Sequence, residues 1–279
     1  MIRYRIAIVA ILSTCVLSPG VRAQSGEVRL VVTATSMDED ATLLAPGSIS
    51  IDLDTNFNRT QGGYYFSAPG VGFTLGLTTR LELSNYGGLA ISKDQQNRTY
   101  GLDDNYLGLK ILLLPKGEHR PAVAIMPTLE VLNTTGIDPA LIPHRVNFAL
   151  PVLVEKDFDD WSVSYTGGYI TRGLAFSTVK LEGDWWEHFT PAVTVSYSQF
   201  TSNLDALSDL GVNRGQPNAS IGFEKNINPK WSLFADVGRS IGRTNPASTS
   251  FECTFGVTFS TALWRRDSGK DSRRFPNHF

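Results

Sequence analysis

Ten carboxylates recur on one side of a two-residue alternation: Asp52, Asp54, Glu82, Glu130, Glu155, Glu182, Asp184, Glu224, Asp236 and Glu252. Four bases share those rows, Arg80, Lys110, Arg172 and Lys180. Successive side chains of a strand point to opposite faces, so each row lines one surface. If that surface encloses a lumen, an excess of carboxylate favours cations or neutral solutes over anions. The sequence leaves a plainer alternative open: lone inward charges are costly, so these groups could form ion pairs and bind water in a filled barrel without a bore.

Hydrolytic chemistry is a different matter. A serine nucleophile needs a histidine base within hydrogen-bond reach. His119 and His188 fall in short turns, His278 lies in the tail, and His144 opens a strand as His144-Arg145-Val146-Asn147 with no serine two residues on. No two histidines are close in sequence, so no metal-ligand spacing is present. The expectation is a protein that is not an enzyme and carries neither cofactor nor metal.

The elements that must position the carboxylates are strands. In Phe251–Trp264 one row reads Phe251, Cys253, Phe255, Val257, Phe259, Thr261 and Leu263, while the other holds Glu252, Thr254, Gly256, Thr258, Ser260 and Ala262. A bilayer-crossing strand needs about 9–11 residues, and this run is long enough. The same period recurs eleven more times from Ser48, through Ile49–Phe57, Val71–Leu77, Leu81–Ile91, Leu107–Leu113, Val123–Val131, Val146–Val154, Trp161–Tyr169, Val179–Trp185, Val193–Tyr197, Ala219–Phe223 and Trp231–Val237. Twelve is an even number, as single-chain bacterial barrels require. The fold class predicted is all-β: an antiparallel up-and-down transmembrane β-barrel of 12 strands over residues 48–264. Its last strand should pair with the first and with the one beginning at Trp231, placing Cys253 towards lipid.

Connections support that reading. Long ones are predicted at 58–70, 92–104, 132–145, 201–217 and 242–250, and short ones at 79–80, 115–121, 157–160, 186–189 and 226–230. Only Thr171–Leu174 is short where a long loop is due. Long extracellular loops and tight periplasmic turns are the habit of outer-membrane barrels. Trp161, Trp185, Trp186, Trp231 and Trp264 all lie at strand ends on the short-turn side, where a membrane-interface girdle would sit. A secreted β-sandwich also alternates, but has no reason to gather its tryptophans at one end or to place glycines on its solvent rows. Asn85, Lys225 and Arg239 fall on the apolar rows; at Arg239 two readings stand side by side, contact with lipopolysaccharide phosphates and a β-bulge that shifts the register there.

Composition fits. The chain has 279 residues, is 42% hydrophobic and 19% charged, and has a mean hydropathy of -0.09, too polar for a bundle of membrane helices. Residues 1–23 read as a signal peptide, with Arg3 and Arg5, an apolar core from Ile6 to Leu17, and the cleavage site Val21-Arg22-Ala23. Subtracting Arg3, Arg5 and Arg22 from the 25 basic residues leaves 22 against 27 acidic ones, a net charge of -5. That balance argues against nucleic acid as a partner. Cys15 would leave with the signal and Cys253 would have no mate, so no disulfide is expected. Residues 24–47 read as an N-terminal periplasmic extension or plug segment, and 265–279 as a basic periplasmic tail. The partners expected are outer-membrane lipid and lipopolysaccharide, a small-molecule solute and the barrel-assembly machinery.

Gly76-Leu77-Thr78-Thr79-Arg80-Leu81-Glu82-Leu83 resembles a hairpin of the bacterial outer-membrane family labelled MetA-pathway of phenol degradation, a transporter group. Leu102-Asp103-Asp104-Asn105-Tyr106-Leu107-Gly108-Leu109-Lys110 and the strand Pro121–Glu130 are similar to its next two strands. The likeness spans about residues 46–264. It departs where the family often has Pro-Thr-Gly, since Thr134-Thr135-Gly136 follows Asn133 here. The resemblance implies a barrel passing hydrophobic or aromatic compounds; it transfers no binding residues. The expected function is an outer-membrane channel for small solutes, with a structural or adhesive barrel acting through its loops as the alternative.

Overall fold

Period-two alternation becomes strand in nearly every place it occurs. The structure, a computed structural model, describes residues 39–60, 63–93, 98–132, 145–183, 188–202, 213–242 and 248–263. The strands are β1 (Ser48–Thr60), β2 (Tyr64–Gly76), β3 (Leu81–Lys93), β4 (Arg98–Leu102), β5 (Asn105–Leu114), β6 (Ala122–Ile125), β7 (Thr128–Val131), β8 (Val146–Ala149), β9 (Val152–Phe158), β10 (Trp161–Ile170), β11 (Leu174–Gly183), β12 (Phe189–Phe200), β13 (Gly215–Asn228), β14 (Trp231–Ser240) and β15 (Thr249–Ala262). Three pairs, β4/β5, β6/β7 and β8/β9, are halves of single staves. The result is a closed barrel of 12 antiparallel staves.

Closure runs through β15, which pairs with β1 from Ser48–Ala262 to Thr60–Thr249 and with β14 from Trp231–Phe259 to Gly238–Glu252. A closed sheet leaves no unpaired edge. Cys253 lies opposite Phe57 and Val237 on the outward row.

The interrupted staves have chemical causes. Pro127 and Pro151 lack an N–H and cannot donate to a ladder. Their carbonyls still accept, from Leu109 N (3.1 Å) and Met126 N (3.1 Å) respectively. The third break, at Asp103-Asp104, inserts residues opposite Gly88, whose carbonyl accepts from Asp103 N at 2.8 Å.

Two of the predicted long connections are not long. β1 and β2 reach Thr60 and Tyr64, and β3 and β4 reach Lys93 and Arg98. Ala68-Pro69-Gly70 reads as a loop, but it is a register shift within β2, between Ser67 and Gly70 opposite β3. The turn at Thr171–Gly173 is short as predicted, with Gly173 at φ 87°.

Outward rows are apolar, with Leu53, Val71, Ile221 and Phe255 among the exposed side chains. Asn85 does fall on this face. It donates to Asn105 Oδ1 (3.2 Å), its outward neighbour, and to the Tyr106 carbonyl (3.0 Å), so its amide is satisfied without solvent. Trp161 and Trp231 begin β10 and β14 directly after short turns, stacked with Phe158 at 4.4 Å and tilted on Phe259 at 4.8 Å. Trp185, Trp186 and Trp264 lie outside the described residues, as do 1–38 and the tail from 264.

Candidate functional site

Inward rows meet across the ladders: Asp52 faces Thr258, Asp54 faces Gly256 and Asn58 faces Glu252. The lumen they enclose has two unlike walls. The inward rows of β12, β13, β14, β15, β1 and β2 contain Asp52, Asp54, Glu224, Asp236 and Glu252 and neither lysine nor arginine. Hydroxyls and amides serve these acids. Thr258 donates to Asp52 at 2.6 Å, Tyr86 to Asp54 at 3.0 Å, and Asn56 to Glu252 at 3.3 Å.

The opposite wall is cross-linked by cations. Arg172, reaching in from the turn after β10, holds the fully buried Glu130 through two nitrogens at 3.0 and 3.2 Å. A fork of this kind fits a carboxylate better than an ammonium does. Lys180 pairs with Glu182 at 2.6 Å. Lys116, from the turn after β5, bonds Glu155 and lies 2.8 Å from Asp157. Lys110, 3% exposed, contacts Glu82 at 3.2 Å. Of the remaining sequence candidates, Arg80 is corrected: it lies exposed in the turn between β2 and β3, because the ladder ends at Gly76 and resumes at Leu81. Asp184 is outside the described residues.

The chain's own N-terminal segment occupies part of this lumen. Gly47 N donates to the Gly76 carbonyl at 2.8 Å, and residues 39–46 run from there along the inside of the wall. Leu44 N donates to Glu82 (2.6 Å), Thr42 N and Oγ1 to Glu155 (3.0 and 2.6 Å), and Thr166 Oγ1 to the Glu39 carbonyl (2.7 Å). Lys110 closes the set with Glu39 at 2.7 Å, Asp40 at 3.7 Å and the Thr42 carbonyl at 3.3 Å. Ala41 is completely buried against Ala122, Ala124, Met126 and Leu153, an apolar patch on the inner surface. A cleft of about 270 Å³ remains beside the segment, lined by Leu44, Thr79, Leu112 and Lys116.

Two consequences are measurable. Gly76 is the point of closest approach: a methyl there would meet the Ala45 and Leu44 carbonyls, the latter at 2.7 Å. Gly76→Ala should therefore displace the segment and raise hydrogen exchange at the Leu44 and Gly47 amides. Unchanged exchange would place the segment elsewhere. Secondly, burial pushes the Asp40 carboxyl up to about 7 against the pull of Lys110. A docked segment then holds a proton that an undocked one, titrating near 3.8, has lost. Docking should strengthen as pH falls from 8 towards 5, and Asp40→Asn should abolish the dependence.

The segment's partners escaped the sequence reading. Glu82 and Glu155 show as lumen residues, but nothing in a period of two says which of them the preceding chain will cover. The apolar interruption Ala122, Ala124, Met126 on an inward row was the available signal.

Among the described residues no group of three potential ligands could hold a metal ion. His119 is exposed in a turn with Glu118 4.0 Å away, and His188 sits in the turn before β12 at φ 66°.

Fold and lumen together define a class, closed twelve-stave barrels with an apolar exterior and a polar interior. No family model matches the chain, and no curated protein matches its sequence. Solved structures do match. An outer-membrane channel from Pseudomonas putida F1 superposes with a TM-score of 0.61 at 13% identity, over 80% of this chain and 98% of that one. The NanC porin gives 0.51 at 9%, over 75% and 98%. The translocator domain of the autotransporter NalP from Neisseria meningitidis gives 0.50 at 10%, over 92% and 97%. At such identities the likeness is one of fold.

Proposed function

We propose that the chain is an outer-membrane channel passing small solutes along its carboxylate wall, past the segment 39–46. The observation that carries this reading is the division of the strands into apolar outward rows and polar inward rows around a closed ladder. Lipid requires both features: the closed ladder pairs the backbone groups that cross hydrocarbon, and the side chains facing hydrocarbon must be apolar. Twelve staves lie between eight-stranded barrels, whose interiors are filled, and sixteen-stranded porins with open channels. Five inward acids on a wall without bases favour cations and neutral solutes. The likeness of Gly76–Leu83 to the phenol-degradation transporter family is the basis for counting hydrophobic and aromatic compounds among those solutes.

Purified protein in planar bilayers tests the channel. Discrete, cation-preferring conductance is expected, and absence of both conductance and liposome uptake would sink the reading in favour of a barrel acting through its loops. Cys253 tests the membrane placement independently. A membrane-permeant maleimide should label it in intact vesicles and a bulky charged one should not. Strong labelling by the charged reagent would place the outward face in water.

A further inference from the structure

Among the described residues the outward rows carry charge of one sign only. Among the described residues of the strands they include Arg59, Lys93, Arg98, Lys156, Lys225 and Arg239, and not one aspartate or glutamate. Lys156 and Lys225 lie near the short turns. The other four lie at the opposite end, on β14, β1, β3 and β4 within one run of six adjacent strands.

Arg59 pairs across the ladder with Phe251 on one side and Tyr64 on the other. Tyr64 pairs with Lys93, and Lys93 with Arg98. Arg239 continues the line beyond Phe251, one residue past the pair Gly238–Glu252. Cation and aromatic thus alternate over β14, β15, β1, β2 and β3 in an oblique stripe, ending on Arg98 in β4. Phe57, one row towards the short turns, lies against Tyr64 and Phe251 with ring centroids 6.0 and 6.3 Å away, and Arg98 lies 4.9 Å over Tyr100. Arg59, Lys93, Arg98 and Arg239 are exposed, and none makes an ion pair with a described carboxylate. Asp94 lies outside the described residues.

Height places the stripe. Ten residues separate Ile49 from Arg59 along β1, which at about 3.3 Å each and a tilt of about 40° climbs about 25 Å. That is the height of the apolar band of an outer-membrane barrel. The cations therefore stand where hydrocarbon gives way to headgroups. On the rest of the circumference the last outward residues of the strands at this end are Val131, Val146, Tyr169, Ala175, Gln199 and Gly215, none of them charged.

We propose that this stripe binds the phosphate groups of a phosphorylated glycolipid of the outer leaflet, lipopolysaccharide, whose acyl chains lie on the aromatic row beneath. Guanidinium groups suit phosphate because two N–H groups can meet two oxygens. An outward face without acids is complementary to an anionic surface and repels nothing in it. The inference rests on the membrane placement above, and the test separates the two.

The protein in detergent micelles is titrated with bisphosphorylated lipid A, with lipid A stripped of both phosphates, and with inorganic phosphate, and bound lipid is counted by native mass spectrometry. Wild type should bind the bisphosphorylated form at least about tenfold more tightly than the stripped form. The variant Arg59→Gln/Lys93→Gln/Arg98→Gln should lose that preference, while Lys156→Gln/Lys225→Gln should retain it. Arg59→Gln and Arg98→Gln alone, each expected to lower the preference, decide the matter should the triple variant not fold. Equal binding of both lipid A forms, an unaffected triple variant or equal loss in the short-turn variant overturns the proposal. Full displacement by millimolar phosphate overturns the lipid in favour of a free anion. Heat-modifiable migration and flotation with vesicles report separately on the membrane placement.

Discussion

Lys110→Met should free the N-terminal segment and raise the conductance of the barrel. The ammonium is 3% exposed and stands between the segment's Glu39 and Asp40 and the wall's Glu82, itself 3% exposed. Removing one partner of a buried ion pair costs about 3–5 kcal/mol, because the charge left behind has neither water nor counter-ion. Here the protein has a way to relieve that cost. If residues 39–46 leave, water reaches Glu82, and the like-charged Glu39 is no longer held beside it. The expected readouts are larger unitary conductance and a lower temperature for loss of heat-modifiable migration. Glu82→Gln in the same chain should restore much of the stability, since the two positions share one interaction and do not add. A Lys110→Met protein with wild-type conductance and stability would show that the segment is held without the ammonium, by its hydrogen bonds to Glu82, Glu155 and Thr166 and by the Ala41 contacts. Glu155→Gln then becomes the decisive variant, because Thr42 donates to that carboxylate twice.

How much of this was legible in sequence follows from what a period of two can encode. It states which side chains share a face, so the facing of Asp52, Glu130 and Glu252, and of Cys253 opposite them, could be read from alternation. It does not state where a strand ends. Ala68-Pro69-Gly70 carries turn residues, yet the ladder absorbs it as a bulge because Tyr64, Tyr65 and Phe66 beyond it pair with Lys93, Ser92 and Ile91 respectively. Local chemistry suggested a loop; cross-strand packing made a longer hairpin. Arg80 was misplaced for a related reason. Its position continues the polar row arithmetically, but the chain has already left the sheet. Pairings between distant residues were beyond reach altogether. The Arg172–Glu130 fork and the Tyr65 hydroxyl on Asp103 depend on barrel curvature. The docking of residues 39–46 depends on a void that exists only once the staves close.

Neutralising the base-free wall should change which ions the barrel prefers. In Asp52→Asn/Glu224→Gln/Asp236→Asn/Glu252→Gln, four carboxyl groups leave the inward rows of β1, β13, β14 and β15 while shape and hydrogen-bonding capacity are nearly conserved. The opposite wall keeps its pairs, Lys110–Glu82, Lys116–Glu155 and Arg172–Glu130, whose charges largely cancel at the distance of a passing ion. The field along the lumen is therefore set by the wall that changes. With fixed charges removed, the accumulation of cations near it falls, and the reversal potential in a salt gradient should move towards zero. The shift should be largest in dilute salt, where screening extends to about 30 Å at 0.01 M, and small at 1 M, where it is about 3 Å. A control variant, Glu182→Gln, removes an acid paired with Lys180 at 2.6 Å and should move the potential less per charge than any acid of the base-free wall. Equal shifts from paired and base-free positions would mean that ions do not follow that wall, and the route would then have to run between the segment and the cleft beside Lys116.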